Sequence, residues 1–311
     1  MKYRFFTADV FSSVPFGGNQ LAVFPDARGL DDERMFSLAR EFNFSETVFV
    51  FPPEQGHTRR LRIWTPGGEV PFAGHPTVGT AHVLAAIGEI PLSGDETRIV
   101  FEENVGPVPV LIRAREGQPV FAQLSVARLP EIGPRVPPRE RLAEILSLET
   151  KDLAAAHWSP QALSCGLPFL FVPLRDRDAV ARSRIRLEQW ERTLGNAWAK
   201  DIMVFSRDPE REGSDIRARM YGPGVAVPED PATGSACAAL GGYLAMRDAR
   251  ADGTLRWVVE QGFEMGRPSI LEIEVDKSGG AITAVRVGGA SVMMSEGTIE
   301  VPAASAPAAL T

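Results

Sequence analysis

Cysteine is nearly absent from this chain: Cys165 and Cys237 are the only two in 311 residues. Two thiols cannot build a disulfide framework, and neither sits at a metal-ligand spacing, so no metal is implied. Basic runs are absent too. With 33 Lys and Arg against 40 Asp and Glu, the formal charge is −7. A chain without a cationic face for phosphates is not expected to bind nucleic acid. No apolar run reaches the ~20 residues of a membrane helix, so no membrane partner is expected. The first eleven residues, Met1 to Phe11, carry charges inside their apolar stretch and no cleavage-site pattern; they read as a strand and not as a signal peptide. A reduced, cytoplasmic compartment is the expectation. What is present is a globular composition, 44% hydrophobic and 23% charged, in a chain long enough for two domains.

A proline-rich stretch, Leu129-Pro130-Glu131-Ile132-Gly133-Pro134-Arg135-Val136-Pro137-Pro138, divides the chain near its middle. Proline has no amide proton and a fixed φ, so this stretch should neither pair in a sheet nor continue a helix. It reads as the linker between halves. Before it, the patterning predicts strands at 5–11, 21–24, 47–51, 60–64, 98–102, 108–113 and 120–125, and an amphipathic helix at 31–42. In that helix Met35, Leu38, Ala39 and Phe42 share a face, and Asp31, Asp32 and Glu33 suit the positive N-terminal dipole. After it, strands are predicted at 170–174, 202–206, 216–221, 255–259, 270–275 and 282–287, with a helix at 186–198. The tail from Val301 to Thr311 has little to pack and reads as frayed.

The two halves repeat. Arg62-Ile63-Trp64-Thr65-Pro66-Gly67-Gly68-Glu69-Val70-Pro71 lines up with Arg219-Met220-Tyr221-Gly222-Pro223-Gly224-Val225-Ala226-Val227-Pro228 at an offset of 157 residues, with arginine, aromatic, Pro-Gly and Val-Pro in register. After three extra residues, Gly74 meets Gly234 and Leu84 meets Leu244. Such repetition implies two similar domains about a pseudo-two-fold, and small-molecule sites favour the cleft between domains. Each repeat runs into a helix, 78–88 and 236–246, that is small-residue-rich and apolar on nearly every face. A helix of that kind belongs inside a core. Strands that mostly follow one another without helical crossover make the fold α+β, a helix wrapped by strands in each domain.

Each of these helices is opened by a Gly-containing turn, Ala73-Gly74-His75-Pro76-Thr77 and Asp230-Pro231-Ala232-Thr233-Gly234-Ser235. The unpaired N–H groups of a helix start carry partial positive charge and suit a carboxylate or oxyanion. Thr77 and Ser235 equally suit ordinary capping, but two such turns at repeat-related positions favour an anion site. His75 reads either as a proton carrier near neutrality or as a hydrogen-bonded structural histidine. Asp230 reads as a proton carrier or as an N-cap or Asx-turn residue. Glu46, at the start of an apolar strand, is either an exposed strand-start glutamate or a desolvated carboxylate. In the second case its pKa rises, which suits a base that becomes an acid after proton uptake.

Taken together, Phe16-Gly17-Gly18-Asn19-Gln20-Leu21-Ala22-Val23-Phe24, Asn43-Phe44-Ser45-Glu46-Thr47 and Pro71-Phe72-Ala73-Gly74-His75-Pro76-Thr77 resemble the N-terminal signature of the PhzF-like phenazine-biosynthesis family. Asp230-Pro231-Ala232-Thr233-Gly234-Ser235-Ala236 and Gln261-Gly262-Phe263-Glu264-Met265-Gly266-Arg267-Pro268-Ser269 resemble its C-terminal half. The similarity runs in order to about Val301. It implies the diaminopimelate-epimerase-like fold, two similar domains, each a β-barrel around a central apolar helix. On this sequence they would be 1–128, completed by a C-terminal strand at about 288–303, and 129–287. It also implies a homodimer without metal or organic cofactor. Glu46 would be the acid–base residue, with His75 and Asp230 assisting proton movement. Ser45, Gly74 and Ser235 would hold a substrate carboxylate, and Asn19, Pro76, Thr233 and Gly234 would complete the substrate site. The family's namesake isomerises trans-2,3-dihydro-3-hydroxyanthranilate by a hydrogen shift. The wider superfamily includes racemases and epimerases with one cysteine at each helix start. Here Ala73 and Thr233 take those places, and Cys237 falls about one turn further into the apolar helix, so a two-thiol mechanism is disfavoured.

Three functions follow as expectations. The first is an isomerase moving a proton on a small carboxylate, with Glu46 as base and the helix starts stabilising developing charge. The second is an epimerase or racemase with Glu46 as sole base. The third is a non-catalytic small-molecule-binding protein on the same scaffold.

Overall fold

The computed structural model describes residues 1–302 except Ala156 and Ala226. The first half runs β1 (Lys2–Val10), β2 (Asn19–Phe24), α1 (Asp32–Phe42), β3 (Glu46–Phe51), β4 (Arg59–Thr65), β5 (Gly68–Val70), α2 (Gly74–Ala86), β6 (Glu96–Glu103), β7 (Gly106–Arg115) and β8 (Gln118–Ser125). Next come β9 (Glu131–Ile132), α3 (Arg139–Ile145), β10 (Gln161–Ser164), β11 (Pro168–Pro173), α4 (Arg177–Arg182), α5 (Leu187–Leu194), β12 (Asp201–Ser206), β13 (Ile216–Gly222), β14 (Val227–Asp230), α6 (Gly234–Ala245), β15 (Gly253–Gln261), β16 (Ser269–Ser278), β17 (Ala281–Gly289) and β18 (Ser291–Glu300).

Pairing repeats as the sequence does. β1 and β2 are antiparallel, β2 and β3 parallel, β3 and β4 antiparallel, β4 and β6 parallel, and β6, β7 and β8 form an antiparallel run. The same series of hands recurs through β10, β11, β12, β13, β15, β16 and β17. β8 pairs with β17, joining the halves at equivalent edges. The outer ends cross over: β18 returns to β1, and β9 pairs with β10. Each half thus receives its last strand from the chain that has just left the other.

Most strands follow one another directly, as expected. Among the described residues, each of the four parallel pairs is spanned by helix, because a parallel pair needs a connection long enough to return to the same end. α1 spans β2 to β3, α2 spans β4 to β6, α4 and α5 span β11 to β12, and α6 spans β13 to β15.

α1 forms where its signals stand. Asp31 accepts a hydrogen bond from the Arg34 amide at 3.0 Å, Met35, Leu38 and Ala39 are buried, and Asn43 closes the helix in the left-handed region. α2 is buried at every residue from Gly74 to Ala85, and α6 from Ala236 to Ala245. α2 touches β1, β2, β3, β7 and β8, and α6 touches β10, β11, β15, β16 and β17. Full burial of side chains such as Val78, Leu84 and Leu240 contributes roughly 1.5–3 kcal/mol each, which anchors both helices. One hydrophobic cluster contains both helices and joins the halves. Separate clusters lie around α1 and around α3, α4 and α5.

Other differences have local causes. The proline-rich segment does pair: Glu131 and Ile132 sit between Pro130 and Pro134 and keep their amide protons, and Gly133 donates to the Ala162 carbonyl at 2.9 Å. The helix expected at 186–198 stops at Leu194, before Gly195. α3, α4 and the short strands β5, β10 and β14 are too brief to show periodicity. Val301 is buried and donates its amide to the Met1 carbonyl at 2.8 Å, so the chain is held to that point; the rest of the expected frayed tail lies outside the described residues from 303 onward. Among the described residues, no helix is long and apolar enough to cross a membrane.

Candidate active site

The starts of α2 and α6 meet backbone to backbone. A Cβ on Gly74 would lie 2.6 Å from the Ser235 nitrogen and 2.7 Å from the Gly234 Cα, so only glycine allows this approach. The two N-terminal dipoles therefore converge, with Ala73 and Thr233 as the N-cap residues. Beside them is a cavity of about 260 Å³ lined by Ser45, Glu46, Ala73, Asp230, Thr233 and Ser235. Its remaining wall is mostly apolar, from Phe72, Leu167, Phe169, Trp198, Met220 and Val225.

Strand pairing revises the register of the repeat. Ile63 faces Val70 across β4 and β5, and Met220 faces Asp230 across β13 and β14. Two of the three extra residues thus lie in the turn between Gly222 and Val227, and the third in the register shift between β13 and β14. Glu69-Val70-Pro71 is matched by Glu229-Asp230-Pro231, and the ion pairs agree: Arg62 holds Glu69 at 2.6 Å as Arg219 holds Glu229 at 2.8 Å. Val70 is therefore the counterpart of Asp230. By the same pairing, Thr47 faces Trp64 and Ile202 faces Tyr221, so Glu46 is matched by Asp201. Both members of each pair line the cavity. Ala226, which entered the sequence alignment, lies outside the described residues.

Glu46 opens β3, and 18% of its side chain remains exposed. Its Oε2 is buried and lacks a hydrogen-bond partner. Burial first, and the Asp230 charge second, push its pKa up to about 8. The His75 Nε2 lies 3.5 Å from that oxygen and is likewise unpartnered. Burial lowers the His75 pKa to about 3, against a smaller opposing effect of the Gln20 backbone, so the ring is neutral near pH 7. The pair is close but unbonded, a spacing that can tighten when a ligand displaces either group.

Asp230 closes β14 and is raised by burial, while bonds from Thr233, Asn19 and Ser45 hold it down in part. The Thr233 hydroxyl donates to one carboxylate oxygen. Asn19 Nδ2 at 2.8 Å and Ser45 Oγ at 3.3 Å approach the other. Asn19 Nδ2 also lies 3.0 Å from the Ala232 carbonyl and 3.2 Å from His75 Nδ1. An amide nitrogen has two protons for these three acceptors, so Asn19 joins the halves and leaves the histidine bond the weakest.

The sequence-predicted residues fall into two layers. Ser45, Glu46, Asp230, Thr233 and Ser235 face the cavity. Asn19, Gly74, His75, Pro76 and Gly234 do not line it. Pro76 sits in the first turn of α2 and has no N–H to offer a ligand. Gln261 was not singled out. Its Oε1 accepts from the Thr233 amide at 3.1 Å, and its Nε2 donates to the Asp230 carbonyl at 2.7 Å. The apolar wall was missed too, because scattered hydrophobic residues carry no local signal. Cys237 is fully buried in α6 with its thiol pKa raised, and burial pushes Cys165 up to about 12. Among the described residues no three His, Cys, Asp or Glu side chains converge as a metal site.

The PhzC-PhzF family model, described as phenazine biosynthesis-like protein, matches residues 8–297. An uncharacterized isomerase of Mesorhizobium japonicum is 38% identical over 297 residues, covering 94% of this chain and 96% of its own. The trans-2,3-dihydro-3-hydroxyanthranilate isomerase of Pseudomonas aeruginosa is 32% identical over 295 residues, covering 95% of this chain and 98% of its own. The crystal structure of a PhzF-family phenazine biosynthesis protein of Bacillus anthracis superposes with a TM-score of 0.88 at 26% identity, covering 97% of this chain and 100% of that one. With the family model matched over residues 8–297 and the relatives covered nearly end to end, the chain belongs to the PhzC-PhzF family of phenazine biosynthesis-like proteins, and it is an isomerase.

Proposed function

We propose that the protein moves a proton on a small carboxylate resembling trans-2,3-dihydro-3-hydroxyanthranilate, with Glu46 as general base and then general acid. The observation that carries this reading is the Glu46 Oε2: buried, unpartnered, raised in pKa and beside two converging helix starts. The substrate carboxylate sits against the first-turn N–H groups of α2 and α6, near Ser45 and Ser235. Glu46 takes a proton from an adjacent carbon. The C–H electron pair moves into the conjugated system, and the charge that develops on the carboxylate is stabilised by those N–H groups and dipoles. The carboxylic acid formed on Glu46 returns the proton to a second carbon, so the double bond shifts and the atoms balance. Asp230, fixed by Thr233 and Asn19, and neutral His75 tune the proton affinity of Glu46. Asn19, Gly74, Pro76 and Gly234 shape the helix starts from behind, and Thr233 contributes to the wall.

The reading extends to architecture. Two domains, 1–128 with a returning strand at about 288–303 and 129–287, each form a barrel around α2 or α6. The protein works as a cytoplasmic homodimer whose chemistry needs side chains and backbone alone. The symmetric order of strand pairings supports the two-domain reading.

Cyclic and amino-acid carboxylates, trans-2,3-dihydro-3-hydroxyanthranilate among them, are incubated in deuterated water and read by NMR. Wild type should shift the double bond, with deuterium entering the new C–H position to the extent that the Glu46 acid exchanges with solvent before it returns the proton, and Glu46→Gln should lose on the order of 10³-fold in rate. Isomerisation undiminished in Glu46→Gln would sink the mechanism. Deuterium confined to one stereocentre, with loss of optical rotation, would replace isomerisation by epimerisation.

A further inference from the structure

Glu103, the last residue of β6, is a buried carboxyl that the proposed reaction does not use. Its Oε1 lies 2.6 Å from the Thr77 hydroxyl, and that hydroxyl lies 2.8 Å from the Ala73 carbonyl oxygen. A threonine hydroxyl has one proton and a backbone carbonyl has none. If Thr77 gives its proton to Ala73, the 2.6 Å contact requires a proton on Glu103. If Thr77 gives it to an ionised Glu103, the 2.8 Å contact with Ala73 becomes one of lone pairs alone. All three oxygens are satisfied together only when Glu103 is protonated.

Two further observations agree. The Glu103 Oε2 is buried with no hydrogen-bond partner, a poor place for charge. Burial accordingly pushes the pKa of this carboxyl up to about 8. The repeat supplies the second. Arg60 faces Glu102 across β4 and β6, and Arg217 faces Glu260 across β13 and β15, so Glu103 is matched by Gln261. Gln261 is permanently neutral and holds the N-cap residue of α6 through the Thr233 amide and hydroxyl.

We propose that Glu103 is held as a neutral carboxylic acid and is the positioning residue for the first turn of α2, as Gln261 is for α6. The bonds run from Glu103 through Thr77 to Ala73, the N-cap residue of α2 and part of the cavity wall. The direction of the Gly74 and His75 N–H groups depends on that anchor.

Difference infrared spectroscopy between wild type and Glu103→Gln at neutral pH reads the charge without any substrate. The variant should lose a protonated-carboxyl stretch; loss of carboxylate bands instead would overturn the neutral acid. Amide hydrogen exchange across Gly74–Thr77 reads the anchor. Exchange should be unchanged in Glu103→Gln and faster by about tenfold or more in Glu103→Ala. Equal exchange in the two variants would overturn the positioning role. Its catalytic consequence rests on the function proposed above. In turnover of trans-2,3-dihydro-3-hydroxyanthranilate, Glu103→Gln should stay within about twofold of wild type. Glu103→Ala should lose on the order of tenfold in kcat with a smaller change in KM. Absence of turnover by wild type would count against that function while leaving the infrared and exchange results to decide this one. Should Glu103→Ala not fold, Glu103→Met keeps the volume and removes the proton, and the same outcomes apply.

Discussion

The two helix starts are built to one plan and carry different chemistry. At equivalent places the first half has Glu46, Val70, Ala73, His75 and Glu103, and the second has Asp201, Asp230, Thr233, Ser235 and Gln261. What is equal is the backbone: strand pairing, ion pairs under the turn, and two dipoles aimed at one point. What differs is which side chain titrates. Glu46 has a buried, unpartnered oxygen, whereas Asp201, raised by burial to about 6, accepts a bond from the Gly224 amide at 2.8 Å. A hydrogen bond to the charged form stabilises it, so Asp201 is the weaker base of the pair. The backbone arrangement occurs twice, and in the proposed function the proton chemistry falls on one side of it.

The largest test of that asymmetry sets Glu46→Gln beside Asp201→Asn. With a loss on the order of 10³-fold expected for the first, the second should cost less than about threefold in kcat. Comparable losses in deuterium exchange would break the comparison and make the two carboxylates partners.

Backbone contact should be unequal as well. A Cβ on Gly74 meets backbone atoms at 2.6 and 2.7 Å, whereas one on Gly234 meets its nearest neighbours at 3.1 and 3.2 Å. Gly74→Ala should therefore destabilise by about 3 kcal/mol and Gly234→Ala by about 1 kcal/mol, read from denaturant midpoints. The reverse order would show that the first half, not the second, yields at the contact.

The smallest effect is on stability against pH. The folded pKa of Glu46 is raised to about 8, so its contribution is full below the ordinary carboxylate range and is lost as pH rises through about 8. Glu46→Gln does not titrate there. Its melting temperature relative to wild type should therefore climb by about 2–4 °C or more between roughly pH 5 and pH 8.5. A constant difference would mean that Glu46 is ionised in the folded protein at low pH.

Much of this was legible in the residues themselves. The repeat, α1 with its Asp31 cap, and the two apolar helices after glycine turns are local facts of spacing and composition. The resemblance brought Glu46, His75 and Asp230 into one site, which no spacing among them could do. Tertiary structure decided the rest. The alignment of Val-Pro with Val-Pro was locally attractive, yet strand pairing matched Val70 to Asp230, because hydrogen-bond register across a sheet is fixed by partners far away in sequence. Brief elements such as β9 exist only because β10 stands beside them. The cavity wall, the burial of the Glu46 Oε2 and the count of protons around Thr77 depend on what surrounds each group. The sequence by itself determined two glycine turns opening two apolar helices; only the packing of one helix start against the other decided which carboxylate oxygens are buried, because burial depends on neighbours far away in sequence.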